Sequence, residues 1–417
     1  MRKMKKLFLW STLVFLMFAC GNNEDNPIPD IPAEQSEMTV LSYFVADATY
    51  IEDDIWVNIA AMYDGLSLMK KSATLLVYWD GSGSYGNWEN PVILRFTTDG
   101  KGKVNGLDPL PQDATADEVI ALAEVVKEYP SQLSVDKGVM TKVLKDLISL
   151  SPTSKVGLVA ASHGSSWLNT IFLSRSARSF GQDGKGTDNT ILIKDMADAM
   201  KATGKQFDFL LFDACCMGTI EVCYDLRDAV NYQLASVMEV PAYGFPYEVS
   251  LPYLYEGNVE GYKKICQAYI DFYEEQPSNA WGTISVIDSK EVLNLTNLIK
   301  QEIVEHKDLL TNYDVDVLQE YGREGAPDIA YDLEQFIADL NGGTAPAEFK
   351  EQMEKTVLYK DCLEDANPSY YSVDKENFCG LGIYIPISSR KKWNDYFQTI
   401  DWYTASGWNE VTFSWNF

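Results

Sequence analysis

The sequence is poor in histidine, in basic residues and in long apolar runs. Its 417 residues hold only two histidines, His163 and His306. A zinc site built on several histidines is therefore excluded, and any chemistry that uses an imidazole falls to one of two side chains. Lys and Arg number 34 against 61 Asp and Glu, a formal charge of −27. Nucleic acid binding needs a basic surface to displace counterions, so a nucleic acid partner is excluded. Beyond residue 20 no apolar run reaches the ~18 residues of a membrane-crossing helix. What the chain does have is core material. It is 46% hydrophobic and 12% aromatic, which excludes global disorder. At roughly 100–200 residues per domain, the length suits two compact units or one large one.

The first twenty residues read as an address. Arg2, Lys3, Lys5 and Lys6 precede an apolar stretch from Leu7 to Phe18, and Ala19 and Cys20 follow. A cationic start, a short apolar stretch and a small residue before the break mark an export signal. The ending resembles a bacterial lipoprotein signal, in which Cys20 is acylated and becomes the first residue. An ordinary cleaved signal peptide is the alternative. Residues 21–37 carry Pro27, Pro29 and Pro32 and suit an extended tether. Glu24 and Asp25 beside Cys20 resemble a lipoprotein surface-export tag. The expected location is the bacterial outer membrane or cell surface, held by the lipid.

Short apolar runs at 39–46, 74–79, 92–97, 155–161, 207–212 and 234–237 alternate with helix-period segments at 52–70, 115–128, 136–150, 191–203 and 217–229. Continuous apolar strands between helices predict an α/β fold, a mostly parallel sheet flanked by helices. From residue 250 the pattern changes. Helical stretches at 258–275, 289–310, 327–341 and 348–366, with strand candidates at 282–287 and 381–385, predict a largely helical C-terminal extension packed on the sheet. The expected division is a catalytic α/β region over 38–250 and an α+β extension of the same unit over 251–417.

Two motifs are decoys. Gly81, Gly83 and Gly86 spell a dinucleotide-type pattern, but Asn87, Trp88, Glu89, Asn90 and Pro91 follow where a helix would have to open, so a turn is expected. His306 lies amid charges on a predicted helix and reads as a solvated surface residue. His163 differs: it ends the apolar run 156–161 and precedes Gly164. Asp213, Ala214, Cys215 and Cys216 likewise end the run 207–212. Open α/β sheets bind ligands at the carboxyl ends of their strands. If the two strands are parallel neighbours, an imidazole and a thiol emerge together, the arrangement that thiol catalysis needs.

At these residues the sequence resembles the clostripain family of cysteine peptidases, in the caspase-like clan. His163-Gly164 and Asp213-Ala214-Cys215 stand where the family shows His-Gly and Asp-Ala-Cys. Segments 39–47, 241–247, 328–336 and 382–386 also look like family landmarks, so the resemblance spans about residues 38–415. Ser166 replaces a frequent glycine, and Cys216 stands where a larger apolar residue is common. The resemblance implies a caspase-like fold and a cysteine endopeptidase. Cys215 is then the nucleophile, His163 the general base and acid, and the backbone N–H groups of Gly164 and Cys215 the oxyanion donors. Cys216 is the rival nucleophile. The resemblance also implies a basic residue before the scissile bond, read by Asp213, with Glu239 as a second wall of the pocket. An aspartate in the place of Asp213 can instead cap the following helix. Some relatives are cleaved between the histidine and cysteine segments, where Arg175, Arg178 and Lys185 lie in a polar, glycine-containing stretch. No cofactor is required by the chemistry. Ca²⁺ binding by acidic residues is implied by some relatives, although no EF-hand loop is present. The expected partners are peptide or protein substrates and the lipid anchor, with the chain a monomer. A surface lipoprotein that only binds peptides or glycans is the alternative. Export permits disulfides, and by proximity in sequence Cys362 and Cys379 are the expected pair.

Overall fold

Strands β1 (Met38–Val45), β2 (Ala73–Asp80) and β6 (Phe207–Asp213) are buried at every position, as strands covered on both faces must be. The computed structural model describes residues 33–48, 50–168, 179–185, 189–276, 280–322, 329–364 and 372–415. The expected export signal, Cys20 and the expected tether up to residue 32 lie outside these, as do Arg175 and Arg178. Together with β5 (Lys155–Ala161) and β7 (Val230–Ala235), β1, β2 and β6 form a parallel centre. Antiparallel strands β3 (Val92–Thr98), β4 (Glu124–Glu128), β8 (Thr283–Asp288) and β11 (Val357–Cys362) extend both edges. The order across this nine-stranded sheet is β11-β8-β7-β6-β5-β1-β2-β3-β4. A small antiparallel sheet joins β9 (Glu320–Tyr321), β10 (Ala330–Asp332) and β12 (Gly382–Ile383).

Alternation along each strand assigns its side chains to two cores. On β1, Val40 and Phe44 face α1 (Glu52–Ser67), α6 (Tyr247–Leu254) and α7 (Val259–Glu274). Leu41, Tyr43 and Val45 face α3 (Lys137–Leu150), α4 (Ile193–Lys201) and α5 (Ile220–Leu226). A third core gathers α8 (Val292–Glu305), α9 (Leu333–Leu340), α10 (Ala347–Thr356), α11 (Lys391–Phe397) and α12 (Asp401–Ala405) around Trp393, Trp402 and Trp408. The aromatic C-terminal segment is thus packed into the body.

The structure departs from the sequence expectation mainly at sheet edges. The expected helix at 115–128 opens with a capping box between Thr115 and Glu118 but covers only α2 (Ala116–Ile120). Residues 124–128 instead form β4, with Arg95 of β3 bonded to Glu124 at 2.6 Å. The open edge of β3 offers backbone partners that outweigh a local helical period, and Val125 and Val126 fit a pleated surface. The same competition ends the expected 348–366 helix at Thr356, and residues 357–362 pair with β8. Helix α9 starts at Leu333 because Asp332 caps it, accepting from the Gln335 N–H at 2.9 Å. Strand β7 runs over 230–235 rather than 234–237. Cys362 and Cys379 are both buried free thiols, so the expected pair is not formed; the Cys379 thiol donates to the Leu381 carbonyl at 3.1 Å.

Gly157 sets the spacing of the two central strands. A Cβ added there would lie 1.9 Å from Cε1 of Phe209, whose ring packs at a tilt of 58° and 5.2 Å from Tyr262 of α7. Gly157→Ala is therefore expected to lower stability by about 1–3 kcal/mol through overpacking. Phe209→Leu should restore part of the loss, as read by the urea midpoint. An unchanged midpoint in Gly157→Ala would show that the ring has room to move.

Candidate active site

The carboxyl ends of the parallel strands place Asp47 after β1, Asp80 at the end of β2, His163 after β5 and Cys215 after β6. Ala161 and Asp213 form the last register pair between β5 and β6. Two residues beyond each member stand His163 and Cys215. The loops they begin stay in contact: a Cβ on Gly164 would lie 2.4 Å from the Cys215 carbonyl oxygen and 3.2 Å from the Ala214 Cβ. Only glycine permits that approach. His163 and Cys215 are both half-buried. The histidine loop is held from behind, where the Ser162 hydroxyl donates to the Val45 carbonyl at 2.7 Å and the Gly181 N–H to the His163 carbonyl at 2.9 Å.

The Cys215 sulfur accepts from the Val240 N–H at 3.4 Å and donates to the Val240 carbonyl at 3.7 Å. Glu239, the neighbour of Val240, is half-buried, so it flanks the residue that touches the thiol. At Cys216 the backbone enters the left-handed region, φ +62, and its N–H donates to the Met238 carbonyl at 2.8 Å. Cys216 is buried, only 9% exposed, and Cys215 is the more open of the two residues.

Asp213 does not cap a helix. The N-cap of α5 is Thr219, and the Asp213 carboxylate turns instead to the loop before α6. Its Oδ2 accepts from the Tyr247 hydroxyl at 3.0 Å and from Asn58 Nδ2 at 3.4 Å. Gly244, at φ +65, leaves room for it, since a Cβ there would sit 2.5 Å from Oδ2. The α1–α6 contact fixes both partners, because a Cβ on Gly65 would lie 2.2 Å from the Tyr247 carbonyl. Burial pushes the Asp213 carboxyl up to about 7, against the opposing hydrogen bonds from Tyr247 and the Phe245 N–H. Asn58 was not foreseen; a polar residue on the buried face of α1 is the sequence signal that could have found it.

Further along the same edge, burial, and then the charge of Asp183, push Asp80 up to about 8. Ser134 bonds both, through its hydroxyl to Asp80 and its N–H to Asp183. Lys185 is tied to buried Glu52 at 2.6 Å, and Ser82 donates to the same carboxylate. Of the three basic residues expected in a processing segment, Lys185 is thus held in an ion pair. Gly81, Gly83 and Gly86 lie in the β2–β3 loop, and no helix opens there. His306 sits at the end of α8, 3.6 Å from Glu302, and is half-buried rather than fully solvated. Among the described residues no group of three or more His, Cys, Asp or Glu side chains is arranged to hold a metal ion. No described helix is long and apolar enough to cross a membrane.

A carboxyl raised from its ordinary 3.8 to about 7 adds stability that is complete below pH ~4 and lost as pH rises through 7. Asp213→Asn removes that term. The Tm of the variant minus that of wild type is therefore expected to grow between pH 5 and pH 8. A difference that stays flat would show that Asp213 is already ionised at pH 5.

Residues 42–415 match the sequence profile of the clostripain family. Among solved structures, the chain is similar to an inactive zymogen of a C11 protease from Parabacteroides distasonis, at 25% identity and a TM-score of 0.70, covering 90% of this chain and 99% of that one. It is also similar to a secreted C11 cysteine protease from Bacteroides thetaiotaomicron in complex with an irreversible peptide inhibitor, at 26% identity and a TM-score of 0.70, covering 90% of this chain and 100% of that one. A search of curated sequences found no significant match. The mostly parallel sheet, the contact between the two strand-end loops and the profile match agree: this chain is a cysteine protease and belongs to the clostripain family.

Proposed function

We propose that this protease is an exported endopeptidase that cleaves after Lys or Arg with Cys215 as nucleophile and His163 as its base. The observation that carries the reading is the β5–β6 register, which sends both residues out of adjacent parallel strands. A free thiol with a pKa near 8.5 is mostly protonated at neutral pH, so His163 takes the proton from Sγ. The thiolate attacks the peptide carbonyl, and a covalent acyl bond forms at Cys215. His163 then returns the proton to the departing amine, and water hydrolyses the acyl-enzyme. The backbone N–H groups of Gly164 and Cys215 serve the oxyanion. No step needs a metal. Export is supported by the cationic, apolar start and by the secreted neighbour; acylation of Cys20 would hold the chain to the membrane. Processing between the histidine and cysteine segments is proposed at Arg175, Arg178 or Lys185, the last of which is ion-paired with Glu52.

A chloromethyl ketone bearing Lys or Arg is expected to alkylate Cys215 in the folded protein. His163→Ala should slow that labelling by about 10²–10⁴, and Cys215→Ala should abolish peptide hydrolysis. Equal labelling of wild type and His163→Ala, or labelling of Cys216 alone, contradicts the pair.

Asp213 is the proposed reader of the basic side chain, with Glu239 beside it. A cationic ligand favours the ionised carboxylate, which burial opposes. For Lys and Arg substrates kcat/KM is therefore expected to rise with pH through about 7. Asp213→Asn should flatten that rise and lower kcat/KM about 10–100-fold. An unaltered profile in this variant moves the specificity elsewhere.

A further inference from the structure

A buried hydroxyl pair joins the two catalytic loops behind the reacting atoms. The Ser166 and Thr219 side-chain oxygens are 2.6 Å apart, and both residues are fully buried. Ser166 stands three residues after His163, and Thr219 four residues after Cys215. Their hydrogen bond therefore closes a short ring that runs through the histidine loop on one side and the cysteine loop on the other. Ser166 holds φ +60, a conformation that suits glycine and strains an L side chain. Strain of this kind persists where the surroundings over-determine the backbone, and it clusters at functional sites. Here Ser166 and Cys216, at φ +62, flank the proposed pair, one in each loop.

Both loops are also pinned from outside by the same C-terminal segment. The Trp167 ring packs on Tyr384 at 4.7 Å and on Phe397 at 4.9 Å. The Gly382 N–H donates to the Gly218 carbonyl at 3.0 Å, and the Tyr384 N–H to Glu221 Oε1 at 2.8 Å. The segment holds each loop against the body; the hydroxyl pair holds them against one another.

We propose that Ser166 is a positioning residue, whose bond to Thr219 fixes the approach of the His163 imidazole to the Cys215 sulfur. Proton transfer between these groups needs hydrogen-bond reach, and small misplacements are costly to it. This inference rests on the His163–Cys215 reading. Ser166 acts through the two loops that its bond to Thr219 joins.

The test compares Ser166→Gly, Thr219→Val, Thr219→Ser and the Ser166→Gly/Thr219→Val double variant in the full chain. Each is measured for Tm, for kcat and KM on a Lys or Arg peptide, and for the pH profile of Cys215 alkylation by iodoacetamide. Glycine accepts φ +60 without strain, so Ser166→Gly keeps the fold even if Thr219→Val does not. The expected result is a kcat about 10-fold lower in Ser166→Gly with KM changed by less than about two-fold. Its alkylation profile should move toward that of a free thiol. Thr219→Val should match it, the double variant should be no worse than the poorer single, and Thr219→Ser should regain most of the loss. Wild-type kcat in Ser166→Gly overturns the proposal. So do a kcat loss with an unshifted alkylation profile, and losses that add in the double variant. Cys215→Ala separates this failure from that of the underlying reading: activity surviving in Cys215→Ala defeats the catalytic pair, whereas an inactive Cys215→Ala beside a normal Ser166→Gly defeats only the strut.

Discussion

The parallel pairing of β5 with β6 is the constraint on which the rest of the site depends. Ala161 sits opposite Asp213, and the chains leave the sheet side by side. A slip of one residue would turn every side chain of a strand to the opposite face and set His163 against Ala214 rather than Cys215. Strands buried on both faces do not tolerate such a slip, because each face meets its own apolar core. The Phe209 ring over Gly157 adds a shape key to the pairing. Fold stability and the geometry of the proposed His163–Cys215 pair therefore draw on the same contacts.

Around that register the protein places acids whose ionisation burial opposes. Asp213 and Asp80 are pushed up to about 7 and 8, each chiefly by desolvation. Their partners are hydroxyls, an amide and backbone N–H groups, so they keep the capacity to meet a cation that arrives with substrate. The net charge of −27 would also raise the encounter rate with basic peptides, an effect on approach rather than on choice. Backbone tightness serves the same edge: Gly65 brings α6 onto α1, Gly244 makes room for the Asp213 carboxylate, and Gly164 lets one loop lie on the other.

The centre of the sheet was legible because its strands are continuous apolar runs ending in polar, small or reactive residues. His163 and Cys215 stood out for the same reason, at matching ends of two such runs. The edges were not legible. Residues 124–128 and 357–362 follow helical periods, and only an unpaired neighbouring strand, set by tertiary structure, turns them into β4 and β11. Asp213 as a helix cap was a sound local expectation, but Tyr247, thirty-four residues on, claims its carboxylate. The Ser166–Thr219 bond spans fifty-three residues and a positive φ, and no local pattern announces either. The thiols of Cys362 and Cys379 were expected to pair from sequence proximity, which carries no information on side-chain direction.

The most direct test of the central claim is a crystal structure of the protein reacted with an arginyl chloromethyl ketone. The account predicts a covalent bond at Cys215 Sγ, the His163 imidazole within hydrogen-bond reach of the adduct, and the guanidinium against Asp213. A bond at Cys216, or an imidazole turned away from Cys215 with the adduct in place, would contradict it.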